Sequence, residues 1–198
     1  GSEMCIRDSL ISGFAPVEAE RFVTSMDAKS AGNVLMLVGV TTADLGGAHV
    51  TELAGGILPG GSGEIPLLDL QAGPANAKAV ARAIRTGGVC SAHDLSEGGL
   101  LVAAAEMGFA GRLGIELDLA AVPGDAAHPM VTAFAETPSR YLLEVAPEHV
   151  DAVVTALDDA PHSVVGHVHE DGVLRVPALG LEERLDALRQ RWLAPLDW

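Results

Sequence analysis

Aromatic side chains are scarce in this 198-residue chain: two Trp, one Tyr and four Phe, 4% of the total. A core must therefore be assembled from Ala, Val, Leu and Ile rather than from rings. Basic residues are also few, with 12 Lys and Arg against 27 Asp and Glu and a net charge of −15. That balance argues against a nucleic-acid or anionic-membrane surface, since both need a basic face. It reads instead as a solvated acidic exterior. Long apolar runs are missing as well: LLVAAAEMGFAG (100–111) is too short to cross a bilayer and carries Glu106. The two cysteines, Cys5 and Cys90, have neither metal-ligand spacing nor the look of a disulfide framework. Nothing at the start has the basic, apolar, small-residue order of a secretory signal, so a cytoplasmic setting is expected. The first nine residues, GSEMCIRDS, belong to no periodic segment. They read as a tag or sequence artefact, which would make Cys5 foreign too.

What is present suits one good-sized globular domain: 48% apolar and 20% charged residues. NVLMLVGV (33–40) reads as a buried strand, and the Gly- and Pro-rich stretch 53–66 as loop. NAKAVARAIRTGG (76–88) predicts a helix with Ala77, Val80, Ala81 and Ile84 on its inner face and a glycine stop. VCSA (89–92) is a short strand, followed by a helix over 97–110 with Ser96 as its N-cap. That helix is apolar nearly all round, which predicts a sandwiched position. GIELDL (114–119) alternates like a half-buried or edge strand, 129–135 suggests a helix, and SRYLLEVA (139–146) a strand. The clearest amphipathic helix is 147–159, with Val150, Val153, Val154 and Leu157 at helical spacing. SVVGHVH and VLRVP flank EDG and predict a hairpin; 181–192 predicts a last helix along Leu181, Leu185, Leu188 and Trp192. The sum is an α+β fold, a mixed sheet with packed helices.

SAHDLSEGGL (91–100) concentrates the chemistry-bearing residues. A strand ending at Ala92 would deliver His93 and Asp94 to a turn, and the helix opening at Ser96 would aim free N–H groups at whatever sits there. Gly98 and Gly99 would let a phosphate or another backbone approach closely. Asp94 and Glu97 oppose bare phosphate but suit phosphate carried with a divalent cation. The alternative reading is structural: a cap, a dipole-matched carboxylate, and glycines for close packing. A Ser–His–Asp triad is disfavoured, because His93 and Asp94 are adjacent and no G-x-S-x-G elbow is present. His162, His167 and His169 form a loose set rather than a zinc site.

SAHDLSEGGL, with the AAAEMGFAGRLGIELDL that follows it (103–119), resembles the C-terminal-type domain of the aminoimidazole-ribonucleotide (AIR) synthetase superfamily. Within it the chain is most similar to the phosphoribosylformylglycinamidine synthase family. Three further stretches carry that likeness: SMDAKSAGNVLMLVGVTTADLGGAHV (25–50), FAETPSRYLLEV (134–145) and LDALRQRWLAPL (185–196). The resemblance covers roughly 13–198 and implies residues 10–32 as a tail from a preceding N-terminal-type domain and 33–198 as the domain itself. It implies an ATP- and Mg2+-dependent synthase that turns formylglycinamide ribonucleotide and glutamine-derived ammonia into the amidine. The expected partners are the preceding domains of the same polypeptide and a glutaminase domain or subunit.

In such an enzyme the catalytic histidine and most nucleotide and metal ligands lie in other domains. No catalytic residue is therefore expected here, and this piece alone should be inactive. His93, Asp94, Ser96, Glu97, Gly98 and Gly99 are the residues expected to face a nucleotide phosphate or a partner domain. Gly46 and Gly47 of the Leu-Gly-Gly turn, and Glu136, Ser139 and Arg140 of the Glu-Ser-x-x-Arg-like strand, are secondary candidates. Pro138 departs from the substrate-contacting version of that strand by removing an N–H donor. Other readings are a superfamily relative of the hydrogenase-maturation, selenophosphate or thiamine-phosphate type, and a non-catalytic dimerisation module.

Overall fold

A computed structural model describes residues 16–17 and 19–196; the expectations for residues 1–9, Cys5 included, lie outside them. Seven strands make one sheet: β1 (Val34–Val38), β2 (Val89–Asp94), β3 (Gly114–Leu117), β4 (Tyr141–Val145), β5 (His162–His169), β6 (Val173–Val176) and β7 (Leu181–Arg184). Their order is β2-β4-β1-β5-β3-β6-β7. All neighbours are antiparallel except β3 and β6. The six helices are α1 (His49–Ala54), α2 (Ala72–Arg85), α3 (Gly99–Gly111), α4 (Pro129–Phe134), α5 (Val150–Leu157) and α6 (Leu185–Leu193).

The continuous apolar runs of β1 and β4 follow from burial on both faces. Leu35, Leu37 and Leu142 point to one side, where Leu100, Ala104 and Met107 of α3 pack with Ala133 of α4 and Leu185 of α6. Met36, Val38, Leu143 and Val145 point to the other, against Ala79, Val80 and Ala83 of α2 and Val153 and Leu157 of α5. Each large aliphatic side chain taken fully out of water contributes about 2 kcal/mol, so two such layers replace the missing aromatics. A smaller cluster, Leu45, Ala48, Val50, Val131 and Ala135, fixes α1 against α4.

The mixed sheet with packed helices matches expectation, and so does the sandwiched α3. Several local readings need correction. β5 and β6 are not hairpin partners: β3 lies between them, antiparallel to β5 and parallel to β6. Gly114 makes room for this, since a Cβ there would lie 2.2 Å from Asp171 Oδ1. The same insertion makes β3 interior rather than an edge. Leu181–Arg184 is strand β7 on β6, so the last helix starts only at Leu185. Helix α2 begins at Ala72, with Pro74 in its first turn, where a missing N–H does no harm. Its buried face is Gly73, Asn76, Ala79, Val80 and Ala83, while Ala77 and Ala81 are exposed. The expected inner face is thus wrong at Ala77 and Ala81: alanines on every side make the pattern a weak guide, and contact with α5 and the sheet sets the facing direction. α1 is a short helix inside the Gly-rich region. Residues 25–32, read as a tail, are tied into the same body: Ala28 is buried, and its N–H donates to Met107 O at 3.0 Å.

Candidate functional site

β2 extends through Asp94, so His93 and Asp94 are strand residues opposite Leu142 and Tyr141, not turn residues. Leu95 N–H then donates to Arg140 O at 3.0 Å. Ser96 does not cap α3. Its hydroxyl donates to Asp94 Oδ2 at 2.7 Å, and the helix begins at Gly99 after a left-handed Gly98 with φ of 78°. The serine found a nearer acceptor two residues back, and Gly98 delays the helix by two residues. That hydroxyl is the main reason the Asp94 carboxyl sits below its ordinary range, against partial desolvation.

His93 is anchored rather than free. Its Nε2 lies 2.8 Å from Glu106 Oε2 on α3, and its Nδ1 lies 3.4 Å from Asp94 Oδ1. The ring therefore staples β2 to α3. The two glycines are filled from within the protein. A Cβ on Gly98 would lie 2.3 Å from Val102 Cγ2, and one on Gly99 would lie 2.5 Å from Ala135 O and 3.0 Å from Ala133 O. Gly99 has φ of 63° and meets the last turn of α4. The close approach that the glycines permit is made by the protein's own backbone and by Val102.

The loop from α4 to β4 joins this turn. Asp94, Ser96 and Glu97 share a groove of about 460 Å3 with Glu136, Ser139 and Tyr141. The two sets of expected site residues, about forty positions apart, thus meet in space. Glu136 Oε1 accepts N–H bonds from Gly98 at 2.9 Å and from His49, the first residue of α1, at 3.0 Å. Ser139 has φ of 62° and rests against Gly73 of α2. Arg140 also contacts the groove, but its guanidinium is buried and spent on the loop. It donates to Thr137 O at 2.8 Å, to Thr41 Oγ1 at 2.9 Å and to Ala135 O. Burial pushes its pKa down to about 10, against the pull of the Glu136 charge.

Gly46 and Gly47 serve α1 from outside the groove. Gly46 lies against the backbone of Gly63 and Glu64, and Gly47 makes the left-handed step, φ 81°, into the helix.

The sequence reading passed over His49, Glu106, Thr41 and Thr137. Only Glu106 carried a signal, as the one charge in an otherwise apolar helix. Among the described residues no group of three His, Cys, Asp or Glu is placed to hold a metal. His162, His167 and His169 stay strung along β5. Cys90 is a poor nucleophile, because burial first and the Glu144 charge second push its thiol up. Among the described residues no helix is long and apolar enough to cross a membrane. A separate region stands out by exposure: Leu53, Ile57, Ile65, Leu67, Leu68 and Leu70 are all exposed, Leu67 to 89%.

Comparison with known proteins adds the wider context. The chain is 29% identical over 163 residues to the PurL subunit of phosphoribosylformylglycinamidine synthase from Thermococcus sibiricus, covering 82% of this chain and 22% of that one. To the same subunit from Lacticaseibacillus paracasei it is 37% identical over 146 residues, 74% of this chain and 18% of that one. It therefore spans about a fifth of the length of these curated relatives.

Among solved structures, Thermotoga maritima PurL complexed with FGAR superposes with a TM-score of 0.73 at 25% identity, over 85% of this chain and 30% of that one. The same protein complexed with ATP gives 0.71 at 22% identity, over 85% and 27%. PurLQS from Thermotoga maritima gives 0.70 at 21%, over 85% and 28%. Residues 30–178, most of the chain, match the family described as "AIR synthase related protein, C-terminal domain". The sheet order, the helices on both its faces and this match agree: the chain belongs to the AIR synthase related C-terminal domain family.

Proposed function

We propose that this chain is the last C-terminal-type domain of a PurL-type synthase, acting in purine biosynthesis in the cytoplasm. The reaction is the ATP- and Mg2+-dependent conversion of formylglycinamide ribonucleotide and glutamine-derived ammonia to the amidine. The observation that carries the reading is the family match joined to two PurL relatives, each aligned over about three quarters of this chain or more. The structures of Thermotoga maritima PurL complexed with ATP and of PurLQS support a nucleotide cofactor and partner components, and the ammonia would come from a glutaminase domain or subunit.

On this reading most ligands to Mg2+ and ATP lie in the other domains of the polypeptide. Among the described residues no three His, Cys, Asp or Glu cluster, and Val102 and the Ala133 and Ala135 carbonyls stand against Gly98 and Gly99. This domain's part is positional: the groove of Asp94, Ser96, Glu97, Glu136 and Ser139 meets the remainder of the polypeptide. The exposed leucines and isoleucines of 53–70 suit burial against that remainder. The test is an assay of the full-length parent and of this chain alone, each with ATP, Mg2+, ammonia and the formyl substrate. The parent is expected to form the amidine and the 198-residue chain none. No amidine from the parent would overturn the reaction, and turnover by this chain alone would overturn the division of labour.

A further inference from the structure

We infer that Glu136 is a built-in anion that holds the Gly98 turn closed against free phosphate. Its Oε1 receives the Gly98 N–H at 2.9 Å and the His49 N–H at 3.0 Å, from segments roughly 50 positions apart. His49 Nδ1 stands 3.4 Å from the same oxygen. The Glu136 side chain is only 17% exposed, and the buried guanidinium of Arg140 lies close enough to feel its charge. Two backbone N–H groups from different elements, with a cation behind, are what a phosphate oxygen would meet; here a side-chain carboxylate takes that place.

The carboxylate is tethered two residues beyond the end of α4, so its effective concentration exceeds that of a free anion. Val102 stands beside Gly98, and the Ala133 and Ala135 carbonyls stand against Gly99. Glu136 is thus a positioning residue. It ties α1, the start of α3 and the 135–140 loop to one oxygen, and so sets where Ser96 and Glu97 stand on the groove. The inference is independent of the reaction proposed above.

The test uses the 198-residue chain labelled with 15N. It is titrated with inorganic phosphate and with acetate, while chloride keeps the ionic strength constant. In the wild type the Gly98 and His49 amides should be protected from exchange and should not respond to either anion. In Glu136→Ala the same two amides should lose protection by roughly tenfold or more. They should then shift saturably with acetate and phosphate, but not with chloride. Wild-type amides that are unprotected or that titrate saturably with phosphate would overturn the inference, as would Glu136→Ala amides indifferent to both anions. Should Glu136→Ala not fold, the wild-type titration decides alone. No activity is read, so failure here leaves the proposed reaction untouched.

Discussion

The two ends of β4 each bury a charge and use it in opposite ways. Glu144 is fully buried and accepts from five donor contacts: Lys29 N–H on both oxygens, Ser30 N–H, Asn33 Nδ2 and Ser91 Oγ. Arg140, just before the strand, is 1% exposed and donates to two carbonyls and a threonine hydroxyl. Neither bonds to a group of opposite charge. At the Glu144 end donors converge on a single acceptor, and enclosed N–H groups rarely go unpaired in native proteins. At the Arg140 end the partners are oxygens, which bear under-satisfaction better. The end remote from the groove is therefore the harder to disturb. The groove end is held by contacts more easily replaced.

The largest test of this asymmetry is Glu144→Ala, expected to destabilise by about 3 kcal/mol or more in urea unfolding and to free residues 25–33 to exchange. Arg140→Met should lose less, about 2 kcal/mol, because its length still fills the space. A reversed order would break the comparison. Between β2 and α3, a double-mutant cycle of His93→Ala and Glu106→Ala should give a coupling of about 1 kcal/mol; a coupling near zero would mean His93 is not a staple.

The smallest effect is Ser96→Ala. Asp94 is depressed in the folded state, so its contribution is complete above its ordinary pKa of 3.8 and is lost as pH falls below that value. Removing the hydroxyl should flatten that acid limb by a few tenths of a kcal/mol at most, since the carboxylate is 65% exposed. An unchanged pH profile would show that Ser96 does not hold Asp94 down.

The sequence displayed whatever is repeated along a single element. The β1 run, the all-apolar α3 and the Val153–Leu157 face of α5 were legible because burial imposes a period on the residues themselves. Strand neighbours were not. Nothing within 162–176 announces that β3 enters between β5 and β6, since its partner residues lie about fifty positions upstream. The candidate site divided in the same way. Its residue types were visible at 93–99 and 136–140, but Glu136 acts through backbone N–H groups, which have no sequence signature. Glu144 in YLLEV reads as an ordinary polar strand position, although its donors gather from two distant places in the chain, residues 29–33 and Ser91.

One further consequence lies in the strand order. Of the six neighbouring pairs in the sheet, only β6–β7 joins strands consecutive along the chain. During synthesis, a nascent polypeptide released as far as Val145 can assemble β2, β4 and β1, but it leaves the far side of β1 unpaired until β5 emerges. Late closure of distant segments makes folding slow, and an open edge invites pairing with another molecule in the interval. The vulnerable moment for this protein falls on the ribosome, before His169 has appeared.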